Sequence, residues 1–198
     1  GRGALKLMAS VPMTLDSGDA LAYFTLRTGE VASFVLDLAP ADRLPLPGDR
    51  YVAEVFKETA NYWRAWVGKG TYRGRWREMV MRSALTLKLL TSREHDSLVA
   101  APTFGLPEQL GGTRNWDYRY TWIRDASFTL YALMRLGYRS EAAAFIRWVE
   151  ARCATQGQTS PLAILYRLDG TREVSEVALP HLHGYLGSRP VRIGNAAA

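Results

Sequence analysis

Two periods divide the chain. Over residues 4–38 apolar and polar positions alternate, and in "DALAYFTL" Ala20, Ala22, Phe24 and Leu26 share one face. "VASFVLDL" resumes the alternation after the turn "RTGE", where Gly29 supplies the flexible position. Three strands with apolar faces make a poor unit alone. The pattern therefore predicts that residues 1–38 are the C-terminal part of a β-sandwich domain. "APADRLPLPGDR", residues 39–50, is rich in proline and reads as a linker. From residue 51 the spacing turns helical. Val52, Val55, Phe56, Tyr62, Trp63 and Trp66 mark one helix, and Trp76, Met79, Val80, Ser83, Ala84, Leu87 and Leu90 mark a second. Pro102, Gly105 and Pro107 break the pattern into a long loop with at most one short strand. A third helix is predicted over 122–136, stopped by Gly137 as a C′ residue. Ser140 is expected to cap a fourth, with Ala142, Phe145, Ile146, Val149 and Cys153 along one side. Residues 155–190 read as irregular, with a short strand in "AILYRL" and a turn at Asp169-Gly170. Successive helices with long loops at one end predict a mainly α fold, a helical barrel or toroid with function in its loops.

Composition narrows the class. Of 198 residues 47% are hydrophobic, enough for a sizeable core. Cys153 is the single cysteine, which excludes a disulfide framework and a cysteine-rich zinc site in this chain. With no signal-peptide pattern and no apolar run of transmembrane length, a cytoplasmic location and no membrane partner are expected. The chain begins at Gly1 and stops on three alanines, so both ends read as cuts. The net charge of +6 raises nucleic acid as a partner. Its densest basic run, "RAWVGKGTYRGRWREMVMR" over 64–82, interleaves Trp66, Tyr72 and Trp76 with arginines, as a single-strand groove requires. The plainer reading is a solvated loop between helices with its tryptophans turned inward. That reading is preferred, and no nucleic-acid partner is expected.

Candidate chemistry concentrates in "GGTRNWDYRYTWIRDASFTLYALMRLG", residues 111–137. Trp116, Tyr118, Tyr120 and Trp122 stand at alternate positions. Their rings offer flat apolar faces to the C–H face of a sugar, while Arg124 and Asp125 can form charged, directional hydrogen bonds to hydroxyls. Core packing would explain the aromatics as well, and a first-turn aspartate is also favoured by the helix dipole. Elsewhere, His181 and His183 in "HLH" lack a nearby third ligand, so no metal site is expected. Neither a phosphate loop nor a nucleophile elbow is present.

"SALTLKLLT", "VAAPTFGLPEQLGGTRNWDYRYTWIRDASFTLYALMRLGY" and "PHLHGYLGSRPVRIGNAAA" resemble glycoside hydrolase family 15, the group of glucoamylases, glucodextranases and bacterial trehalases. The likeness runs in order from Tyr51 to Ala198, and "NWDYRYTWIRD" is its most specific block. The β region is similar to the sandwich domain preceding the catalytic barrel in bacterial members. The resemblance implies that residues 51–198 are the first part of an (α/α)6 toroid whose loops form a pocket for a terminal glucose. Arg124 and Asp125 match the pair that hydrogen-bonds the non-reducing glucose, and Trp122 and Tyr118 match aromatics near the cleavage point. "GSRPVRIGN" matches a second pocket segment, which makes Arg189 and Arg192 further candidates. Fungal members carry tryptophan where this chain has Gly187, and some relatives carry proline where it has Trp116. No cofactor is implied.

The implied reaction is hydrolysis of α-glucosides, maltodextrin-like chains or trehalose, from the non-reducing end with inversion. Inversion needs one carboxylic acid to protonate the leaving oxygen and one carboxylate to activate water. In family order both are glutamates beyond Ala198. Glu108, Asp117, Glu173 and Glu176 match neither position and read as solvated loop carboxylates. A closed toroid also needs many more helices than the four seen here, and an open arc would expose an apolar face. The expectation is a catalytically inactive piece of a longer hydrolase carrying one wall of its glucose pocket. The alternatives are a sugar-binding remnant without catalysis and, behind it, a single-strand nucleic-acid binder.

Overall fold

The computed structural model describes residues 5–37, 49–156 and 161–196. It divides into two compact units, Gly1–Trp66 and Val67–Ala198.

In the first unit, β1 (Lys6–Ala9) pairs antiparallel with β4 (Phe34–Asp37), Lys6 facing Asp37 and Ala9 facing Phe34. Between them β2 (Thr14–Asp16) and β3 (Asp19–Leu21) form a hairpin over a two-residue turn at Ser17 and Gly18, both at positive φ. The long strand expected over "DALAYFTL" therefore ends at Leu21. The "RTGE" turn forms as predicted: the Glu30 N–H donates to the Arg27 carbonyl at 3.0 Å, and the Arg27 N–H to the Glu30 carboxylate at 2.8 Å. Among the described residues of this unit the strands form two separate two-stranded ladders. Of the expected linker, residues 39–48 lie outside the described residues, and Asp49 already begins α1 (Asp49–Gly68). Along α1, Trp63 meets Tyr62 at 5.3 Å and Trp66 at 6.4 Å, both edge to face.

The second unit contains α2 (Arg77–Leu89), α3 (Ile123–Arg135) and α4 (Arg139–Gln156). α3 buries Ala126, Leu130 and Leu133, a stripe at helical spacing, and turns Phe128, Tyr131 and Met134 to the exposed side. Ala126 and Leu130 of this stripe pack with Ala142, Phe145 and Trp148 of α4. The predicted α4 face is thus rotated: Ile146 and Cys153 are exposed and Trp148 is buried. The cause is aromatic. Trp148 stacks on Phe145 at 5.3 Å, meets the Tyr166 edge at 5.4 Å and donates its indole N–H to the Leu168 carbonyl at 3.1 Å. Those contacts satisfy both the ring and its polar atom. α2 contributes the fully buried Ala84, and its Lys88 reaches Glu141 of α4 at 3.0 Å. Of the tryptophans in the basic run, Trp66 is buried but Trp76 is exposed, with the Arg75 guanidinium 4.9 Å from its ring centre.

The start of α4 also differs from expectation. Ser140 lies inside the first turn and gives its hydroxyl proton to the Glu141 carboxylate, so it is no N-cap. Gly137, by contrast, ends α3 as predicted. At φ 97° it donates its N–H to the Met134 carbonyl, while the Tyr138 N–H reaches back to Leu133. This is a Schellman closure, with Tyr138 and Leu133 both buried against solvent. The Tyr138 hydroxyl then donates to the Val67 carbonyl at 3.2 Å, within the same unit.

A Cβ at Gly137 would sit 2.8 Å from the Thr71 methyl and require a left-handed side-chain-bearing residue. Gly137→Ala is expected to destabilise the protein by about 1–3 kcal/mol, read as a lower denaturation midpoint with an unchanged slope.

Candidate functional site

The stretch before α3 is extended because it is paired. The Ala100 and Ala101 N–H groups donate to the Tyr120 and Tyr118 carbonyls, and the Tyr118 N–H donates to Thr103. β5 (Thr121–Trp122) then pairs antiparallel with β6 (Leu165–Tyr166), Trp122 opposite Leu165. Extended chain sends successive side chains to opposite sides. Tyr118 and Trp122 fall on one side with ring centres 6.3 Å apart, and Asp117 and Arg119 on the other.

A cavity of about 500 Å³ opens on the first side. Tyr118, Trp122, Arg124 and Asp125 line it, joined by Ala100, Glu108, Trp116, Asn195 and Ala196. Its volume is that of an ordinary small-ligand site. Arg124 and Asp125 stand in the first turn of α3, the guanidinium donating to the carboxylate at 3.1 Å, and both remain substantially exposed. Glu108 accepts the Trp116 indole N–H at 3.1 Å and lies 3.6 Å from the Arg114 guanidinium. Burial, followed by the nearby Glu108 carboxylate that it hydrogen-bonds, pushes the Tyr118 hydroxyl above its ordinary pKa. It therefore stays protonated as a donor at neutral pH.

The second side is structural. Asp117, expected to be a solvated loop carboxylate, is wholly buried. It accepts the Arg119 guanidinium through both oxygens at 2.9 and 2.8 Å, the Arg119 N–H at 3.1 Å and the Gly194 N–H at 3.2 Å. Its own carbonyl accepts the Asn195 amide at 3.3 Å. Burial pushes the Asp117 carboxyl up, but the Arg119 and Gly194 donors outweigh it and hold the pKa below the ordinary aspartate value. Residues 192–196 are thereby drawn to the wall, which brings Asn195 and Ala196 to the cavity. β7 (Val177–Ala178), pairing with β8 (Arg192–Ile193), and the Asn195 N–H bond to Val174 fix the same segment from its other edge. Gly194 permits this approach: a Cβ there would run into the Ser175 carbonyl oxygen, at φ 88°.

The two remaining candidates are not among the cavity's lining residues. Arg189 is exposed and lies 3.2 Å from the His183 ring. Arg192 spends its guanidinium on Glu176 and the Thr113 carbonyl, each at 3.1 Å, and on the Trp116 face. Among the described residues no three histidine, cysteine or acidic side chains converge as a metal site, and no helix is long and apolar enough to cross a membrane. Tyr120, in register with its aromatic neighbours, borders a separate polar hollow with His95, Arg119 and Arg167.

Residues 74–198 match the sequence profile of Glycosyl hydrolases family 15, and the chain belongs to that family. It is similar to a trehalase of Thermoplasma acidophilum, 42% identical over 84% of this chain and 28% of that protein. Trehalases of Mycolicibacterium smegmatis and Mycobacterium tuberculosis are 39% and 37% identical, each over 98% of this chain. The chain spans 28–29% of the length of these relatives. No solved structure matches it.

Asp117→Asn keeps the shape of the side chain but removes the charge that Arg119 and Gly194 satisfy. The substitution is expected to cost about 2–4 kcal/mol of stability at neutral pH. Because the folded pKa is depressed, the clamp is fully present above the ordinary aspartate pKa and is lost as pH falls through the folded value. Thermal melts of both proteins from pH 7 downward should converge only in strong acid; convergence near pH 5 would refute the clamp.

Proposed function

We propose that the protein to which this chain belongs is an inverting, exo-acting glycoside hydrolase that releases glucose from a small α-glucoside, with trehalose as its foremost substrate. The observation that carries the reading is the convergence of Tyr118, Trp122, Arg124 and Asp125 on one cavity, in a family 15 chain. The trehalase names of its relatives favour trehalose over maltodextrin-like chains.

In this reading the cavity is one wall of the glucose pocket. Asp125 accepts hydrogen bonds from sugar hydroxyls and Arg124 donates to sugar oxygens, a division of labour that fits neighbouring hydroxyls on one ring. Trp122 and Tyr118 face the ring's C–H surface. Both carboxylates that line the cavity already have partners, and neither is assigned proton transfer at the bond. Glu108 is engaged by Trp116 and Arg114, and Asp125 by Arg124. The general acid and the base that activates water are two glutamates from segments following Ala198, as the family resemblance implies.

The test uses the protein expressed from its complete reading frame. Wild type should release glucose from trehalose, with the glucose first formed at the attacked centre appearing as the β anomer by NMR. Asp125→Ala should lower kcat/KM by about a hundredfold or more, since a charged hydrogen bond made in the transition state is lost. Near-normal turnover in that variant would remove Asp125 from the site.

A further inference from the structure

Trp116 is held more elaborately than packing requires. Its indole N–H is tethered to Glu108, and the Arg192 guanidinium carbon lies 5.3 Å from its ring centre. Arg192 is itself fixed by Glu176 and the Thr113 carbonyl. Glu108 borders the cavity, and Arg192 is not among its lining residues. The ring is only partly buried, and its remaining surface borders the cavity.

Its position in the chain separates it from the Arg124–Asp125 end. Trp116 stands eight positions before Arg124 in the chain, and both border the cavity. One sugar ring bonded by Arg124 and Asp125 does not fill a cavity of about 500 Å³ that Trp116 also lines. A pyranose there would meet an aromatic face whose orientation is locked in advance, which lowers the entropy cost of binding.

Resting on the α-glucoside reading above, we propose that Trp116, positioned by Glu108 and Arg192, is the platform on which the second sugar ring of a disaccharide substrate stacks. It sets the preference for a two-ring substrate over a glucoside whose leaving group has no ring.

The full-length protein is assayed on trehalose and on α-glucosyl fluoride, whose leaving group is a single atom. In Trp116→Ala the ratio of kcat/KM for trehalose to that for the fluoride should fall about tenfold or more, chiefly through the trehalose KM. Trp116→Phe, which keeps a ring and the fold but loses the N–H tether, should fall between. A variant pair that loses both activities in equal proportion, or that keeps the wild-type ratio, overturns the platform and leaves the α-glucoside reading standing. Wild type that hydrolyses neither substrate overturns both.

Discussion

The candidate site depends on one buried carboxylate. Asp117 has no exposed surface, and an ion in such a position is tolerated only when its acceptor sites are filled. Four donors fill them, three from Arg119 and one from Gly194, which lies 77 positions further along the chain. The aspartate thus converts a local requirement, satisfying its own charge, into a long-range constraint that closes one side of the cavity. Nothing in the loop from 99 to 116 or the segment from 192 to 196 is long enough to form a rigid element alone. Each is rigid because it is pinned to the same carboxylate or to the strand that carries it.

The strand's two-residue period then separates structure from surface. Asp117 and Arg119 work on one side, and Tyr118 and Trp122 are free to face the cavity on the other. Tyr120 departs from this division because its ring is taken up by Trp122, Leu165 and Val174, which pack into a small apolar cluster below the site. Tyr120 and Trp122 share that cluster and are equally buried, yet only Trp122 lines the cavity, while Tyr120 borders the polar hollow. Composition and spacing alone give the two possibilities equal standing.

The helices were legible in the chain because their apolar stripes follow the helical period, and the stop at Gly137 because no other residue type fits the closure so cheaply. The β region was less so. A Ser-Gly turn signal was present at 17–18, yet alternation from Asp19 onward read as a longer strand than the backbone forms. The α4 face was misjudged because aliphatic spacing was weighed above the one large aromatic with a polar atom to satisfy. In the site, Trp116 shares the alternation of Tyr118 and Trp122, the pattern that groups these aromatics in the sequence. Asp117 and Arg119, two apart on an extended chain, carried the signal of a same-side ion pair. Glu108 and Asn195 carried none: they reach the cavity through tertiary contacts, with Arg114, Trp116 and the Asp117 backbone, that local pattern does not encode.

Burial decides which of the two arginine–aspartate pairs is available to a ligand. Arg119 and Asp117 are locked by a bidentate contact to a carboxylate without solvent, and breaking it would leave a buried charge. Arg124 and Asp125 meet through a single 3.1 Å contact, with the guanidinium three-quarters exposed. An exposed pair of this kind contributes only about 0–1 kcal/mol. Its donors and acceptors can therefore be re-aimed at a sugar's hydroxyls at little cost, while the helix that carries them stays fixed by Ala126 and Leu130 in the core. A weak ion pair on a rigid element can exchange partners without reorganising the fold, which is what recognition of a neutral, hydroxyl-rich ligand demands.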